Sequence, residues 1–169
     1  MKDFFELFIN ELKEAYATEC HIVKLLPKVL KAVTSKHLKE MIDEQLKQAE
    51  AQITRLERIL TEIKESPMKA VCRSMEGFVE EWKHIVKAHY ESDTQDAAII
   101  GYLQKIKHLE IAHYGTLKTY AKHLRLPAFE NLFKESGKEE GSADKKLTDI
   151  AEGSLFRAGV NQKACRKCA

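Results

Sequence analysis

The sequence predicts an all-α fold, and three observations predict it. Glycine and proline are scarce, 7 and 3 of 169 residues, too few for the tight turns of a β-sandwich or the glycine-rich phosphate loops of nucleotide-binding α/β folds. Charged residues make up 32 % of the chain and hydrophobic residues 44 %, the mixture of helices that bury one stripe and wet the other. Apolar residues recur at helical spacing over most of the length. The expected architecture is an up-down bundle of four long helices with a fifth packed outside or across one end. The bundle takes residues 1–152, and residues 153–169 have no sustained period and read as a flexible C-terminal tail.

Each element has its own stripe and stop signal. Phe4, Phe8, Leu12, Ala15, Tyr16, Ile22, Val23 and Leu26 mark a first helix, with Pro27 producing a kink or a short continuation through Val33. Thr34-Ser35 offers a cap for a second helix of about 30 residues carrying Leu38, Met41, Ile42, Leu46, Ile53, Leu56, Leu60 and Ile63. Ser66-Pro67 is a good start for a third, with Met75, Phe78, Val79, Trp82, Ile85 and Val86. Ser92-Asp93 caps a fourth, with Ile99, Tyr102, Leu103, Ile106, Leu109, Leu117, Tyr120 and Leu124. Pro127 opens a fifth, with Phe129, Leu132 and Phe133 and then Leu147 and Ile150. Gly137 and Gly141 each cost a helix about 1 kcal/mol against alanine, so this one is expected to bend or split.

Charge and compartment exclude several function classes. The net charge of +2 gives no basic surface for nucleic acid and no acidic solvating character. No apolar run reaches the roughly 18 to 20 residues that cross a bilayer, and Met1-Lys2-Asp3-Phe4-Phe5-Glu6 lacks the apolar stretch of a signal peptide. The expectation is a cytoplasmic protein with no membrane or nucleic-acid partner and with Cys20, Cys72, Cys165 and Cys168 reduced.

The informative residues are those that break the apolar stripes. Glu19 falls on the inward series of the first helix, Gln45, Gln48 and Gln52 on or beside that of the second, and Glu110 and His113 on that of the fourth. A buried carboxylate survives when it is paired, hydrogen-bonded or bound to metal. Bundles build di-metal sites from one glutamate on each of two helices and a Glu-x-x-His pair on each of the others, because residues three apart share a face. Here Glu110-Ile111-Ala112-His113 is one such pair. The alternative is that His113 is an ordinary, partly buried histidine bonded to the backbone.

At these residues the chain resembles the YciE/YciF-type ferritin-like proteins, a bacterial family associated with stress responses. The resemblance runs from about Phe4 to Ala151. It rests on Ala17-Thr18-Glu19, the segment Leu46 to Leu56 with Gln52 and Arg55, Met75-Glu76-Gly77, Asp96-Ala97-Ala98-Ile99-Ile100, Glu110-Ile111-Ala112-His113-Tyr114-Gly115-Thr116-Leu117, and Asp144-Lys145-Lys146-Leu147-Thr148-Asp149. It implies a rubrerythrin-like bundle, a homodimer, and inward carboxylates where ferritin relatives hold two irons.

Departures from the family pattern set the functional expectation. Gln45 and Gln48 stand where the family commonly has a histidine and a glutamate, and Lys107 stands where it has a glutamate. Glutamine is a poor ligand, and an ammonium competes with metal for the same carboxylates. The expected inward set, Glu19, Glu76 and Glu110 against Lys107, carries a formal charge of −2, enough for one divalent ion and not two. The expectation is a degenerate site: either empty, or holding one weakly bound iron, manganese or zinc with His113 among the ligands. The alternative is a di-metal oxidase or peroxidase, or an iron-handling protein, using core carboxylates.

Remaining features have bland readings. Cys165-Arg166-Lys167-Cys168 lacks the second close cysteine pair of a closed zinc site, so it reads as a reducible tail, or as an intermolecular zinc or disulfide link. His84, His89, His108 and His123 read as surface, Trp82 as core, and Gly77 and Gly115 as places of close helix approach.

Overall fold

The structure is a computed structural model that describes residues 3–67, 71–154 and 157–166. Four long helices form the bundle: α1 (Phe4–Ala32), α2 (Lys36–Glu62), α4 (Ser92–His123) and α5 (Pro127–Glu152), with the shorter α3 (Arg73–Lys87) beside them. A two-residue hairpin, β1 (Gly153–Ser154) and β2 (Arg157–Ala158), leads into α6 (Val160–Arg166). No helix among the described residues is long and apolar enough to cross a membrane.

Local chemistry explains the ends. Asp3 and Glu6 form a reciprocal capping box at the start of α1, with bonds of 2.8 and 3.0 Å. Pro27 does not stop α1, which runs on to Ala32. Ser35 caps α2, and Pro127 occupies the first turn of α5, where its missing N–H costs nothing. The expected start of α3 at Ser66-Pro67 is displaced: both residues are non-helical and α3 begins at Arg73, after Cys72 as N-cap.

Tertiary contacts fix the chain's course. Asp96 near the start of α4 is buried, and its carboxylate accepts from Thr34 N, Thr34 Oγ1 and Ser35 N at 2.9, 2.7 and 2.7 Å. The opposite end is marked by Lys13 on α1, which donates to Glu65 just past α2 at 2.6 Å. Helix α4 therefore starts at the end where α2 starts, and the segment carrying α3 returns the chain along the bundle. The shorter α3 is the added helix, packed on α4 and α1, while α5 completes the bundle against α4 and α2.

Three further expectations change. Helix α5 is unbroken through Gly137 and Gly141, because Phe129, Phe133, Ser136, Glu140, Ala143, Leu147 and Ala151 form one buried face whose packing outweighs two weak helix formers. In the segment expected as a flexible tail, the described residues form β1, β2 and α6, with Val160 in the core. Gly153, at φ +83°, ends α5, and a Cβ there would strike the backbone of Gly159 and Arg157. Gly77 and Gly115, in contrast, face open space, so close helix approach does not explain them.

Apolar packing divides into two clusters. One holds Phe8, Leu12, Leu56, Leu60, Leu117 and Phe133, and the other holds Ile22, Leu26, Ile42, Ile99, Leu103 and Leu147. On every long helix the boundary between them falls near buried polar residues: Thr18 and Glu19, Gln52, Lys107 to His113, and Ser136 and Glu140, with buried Gln45 two turns before Gln52 on α2. The bundle thus has a polar layer at mid-height.

Candidate functional site: a polar layer in the bundle core

Lys107 is the hub of that layer. Its side chain is 4 % exposed, and its ammonium lies 2.6 Å from Glu140 Oε2, 2.6 Å from Glu110 Oε2 and 2.9 Å from Gln45 Oε1. Its hydrogen-bond acceptors lie on α2 and α5, and its ion-pair partner Glu110 lies one turn along α4. Burial alone would lower the lysine pKa, but the carboxylates of Glu110 and Glu140 outweigh it and push it up, so Lys107 is charged. Gln45 in turn donates to Gln48.

Glu140 is held from both sides. Its Oε1 accepts from Gln52 Nε2 at 2.6 Å while Oε2 accepts from Lys107. Gln52 also donates to Glu139 at 3.0 Å, and Arg55 grips Glu139 with two bonds of 2.6 and 2.8 Å. A bidentate guanidinium–carboxylate pair therefore locks α2 to α5 at the edge of the layer.

Glu19 and Glu110 sit opposite, both about 1 % exposed. Tyr114 donates its phenol proton to Glu19 Oε1 at 2.7 Å. Burial, with the charge of Glu140 adding to it, pushes Glu19 up to about 8 and Glu110 well above the ordinary carboxylate range. Burial thus favours the protonated form of Glu19 at neutral pH and opposes ionisation of Glu110, whose charge Lys107 offsets. Four oxygens in the layer, Glu19 Oε2, Gln52 Oε1 and both of Glu110, have no hydrogen-bond partner among the described residues, although Glu110 Oε2 is ion-paired with Lys107.

The expected site residues separate into two places and an outlier. Glu19 and Glu110 are in the layer. Glu76 is not: it is exposed in the first turn of α3, whose buried residues are Met75 and Trp82, and there its charge complements the helix N-terminus. Glu140, overlooked in the sequence because the glycines masked its helix, takes the place expected of Glu76. Its signal was the series 129, 133, 136, 140, 143, 147 at helical spacing.

His113 is buried but turned away from a shared ligand set with Glu19 and Glu110. Its Nδ1 lies 2.7 Å from Glu11 Oε1, and its Nε2 lies 3.4 Å from Thr18 Oγ1 and faces the Cys72 thiol. Burial lowers its pKa, but bonding to Cys72 and Glu11 more than reverses this and raises it to about 9. Its partners are side chains, not the backbone. Burial would raise the Cys72 thiol, yet His113 and Thr18 hold it below its ordinary value. His84, His89, His108 and His123 are exposed, Trp82 is buried against Tyr102, and Cys165 is exposed on α6. Cys168 lies outside the described residues.

Comparison with known proteins now places the chain. A family described as "Domain of unknown function (DUF892)" matches residues 3–164. The chain belongs to that family. It is 33 % identical over 163 residues to protein YciF of Escherichia coli strain K12, covering 96 % of this chain and 98 % of that one. The crystal structure of the E. coli stress protein YciF superposes with a TM-score of 0.81 at 33 % identity, covering 89 % of this chain and 95 % of that chain. YcfI from Rhodopseudomonas palustris superposes with a TM-score of 0.85 at 27 % identity, covering 89 % and 96 %. The resemblance seen in the sequence motifs is thus a family membership spanning the whole bundle.

Proposed function

We propose that this chain is a stress-related helical-bundle protein of the YciF type whose polar layer is a degenerate ferritin-like metal site, neutralised by its own lysine. The observation that carries the reading is the Lys107 ammonium, within 2.6 Å of both Glu110 and Glu140. A cation already lies between two carboxyls that a di-metal centre would need as ligands, and a second cation there meets like-charge repulsion in a medium that screens poorly.

The donor set does not fit two ions. Gln45 and Gln52 contribute neutral amides, and burial opposes the ionised forms of Glu19 and Glu110 that a metal would need. The partnerless oxygens of Glu19, Glu110 and Gln52 support at most one weakly held divalent ion of iron, manganese or zinc. The stress role is drawn from the likeness to the E. coli stress protein YciF. The proposal includes a homodimer, for which exposed Phe4, Phe5 and Leu7 at the start of α1 supply apolar surface.

Peroxide-dependent oxidation of ferrous iron by the purified full chain tests the reading. The expected result is a rate no higher than that of buffer with unfolded protein, and sustained turnover would overturn it in favour of a di-metal oxidase or peroxidase.

A further inference from the structure

Beside the polar layer, a different set of donors meets. Glu14 of α1, Cys72 at the N-cap of α3 and His113 of α4 bring a carboxylate oxygen, a sulfur and an imidazole nitrogen within 4.8 Å of one another. Cys72 is fully buried, His113 is 7 % exposed, and Glu14 is half-buried, so the carboxylate is the donor nearest solvent. None of the three belongs to the Lys107 network.

We propose that Glu14, Cys72 and His113 bind one Zn(II) ion, with Glu11 orienting the histidine. Thiolate, imidazole and carboxylate are the three ligand types zinc takes, at roughly 2.0 to 2.3 Å, which puts tetrahedral ligand atoms roughly 3.3 to 3.8 Å apart. The existing spacing closes to that by about 1 Å of side-chain movement. With three protein ligands the fourth position is left to water, the open arrangement of zinc sites that do chemistry or exchange ligands.

The surroundings are those of a metal-binding histidine. Glu11 Oε1 sits 2.7 Å from Nδ1, which fixes the proton on that nitrogen and leaves Nε2 for the ion, as in carboxylate–histidine–zinc triads. Thr18 donates its hydroxyl proton to Glu14 O at 2.9 Å, so toward Nε2 it can only accept, and metal binding replaces that Nε2 proton. Binding releases the protons shared between His113 and Cys72, and the thiolate and Glu14 carboxylate neutralise the ion.

Cobalt(II), a spectroscopic stand-in for zinc, gives the test, in full-length chain carrying Cys165→Ala and Cys168→Ala so that only Cys20 and Cys72 remain as thiols. One equivalent should bind with a thiolate-to-cobalt charge-transfer band and tetrahedral d–d bands, and zinc should displace it. Cys72→Ser should abolish the charge-transfer band, and His113→Gln should abolish stoichiometric binding. Glu11→Gln should weaken zinc by roughly 10- to 100-fold without removing the band. Glu110→Gln, in the polar layer, should change none of this, which separates failure here from failure of the degenerate-layer reading. No binding, binding without the thiolate band, or a band that survives Cys72→Ser would overturn the proposal.

Discussion

Lys107 Nζ and Glu140 Oε2 lie 2.6 Å apart with both side chains essentially out of solvent, joining α4 to α5 inside the bundle. A buried pair of this kind gains little over an apolar pair of equal shape, yet removing one partner strands the other charge. Lys107→Met keeps the stem and deletes the ammonium. It should cost about 3 to 5 kcal/mol in chemical denaturation. The double variant with Glu140→Gln should recover a substantial part of that loss, and strict additivity of the two losses would break the claimed coupling.

Glu19 sets a pH dependence of stability. Its carboxyl binds a proton more tightly in the folded chain, at about 8, than at its ordinary value of 4.5. Its contribution to stability is therefore fully present below pH 4.5 and is lost as pH rises to about 8. Glu19→Gln keeps an acceptor for Tyr114 and removes the titration. Denaturation midpoints should fall from pH 5 to pH 8 in the parent more steeply than in the variant, and parallel profiles would refute the assignment.

Much of this was legible in the sequence, and the misses have physical causes. Periodicity located the long helices, Glu19, Gln45 and Glu110 stood out because they interrupt apolar stripes, and Lys107 stood out only as a departure from the family pattern. Glu140 was missed because Gly137 and Gly141 lowered the local helix propensity, which tertiary packing overrode. Glu76 was misplaced because α3 starts seven residues after Ser66, and this puts Glu76 in an exposed first turn. The pairing of Cys72 with His113 is a contact between distant positions that no local spacing encodes.

Asp96 predicts a stability defect remote from the polar layer. It accepts three bonds from the α1–α2 turn. Asp96→Ala should leave two backbone donors and a hydroxyl without their partner and cost on the order of 2 to 4 kcal/mol, with Asp96→Asn losing less. Thermal and urea unfolding measure both, and a loss under about 0.5 kcal/mol for alanine would show that the turn is held by other means.

Arg55 and Glu139 test the clamp between α2 and α5. The pair is partly exposed, 23 % and 22 %, so solvent screening limits its value. Glu139→Gln should cost about 1 kcal/mol in low salt and less in high salt. A loss insensitive to salt would point to packing in place of charge.

Metal stoichiometry is the most direct test of the central claim, that Lys107 stands where a di-metal centre would. It should be measured on full-length protein purified without chelator, carrying Cys72→Ser to silence the separate zinc site, incubated with excess ferrous or manganous ion and desalted. The expected result is at most one equivalent per chain, rising when Lys107→Glu replaces the ammonium with a carboxylate. Two equivalents per chain in the presence of Lys107 would contradict it.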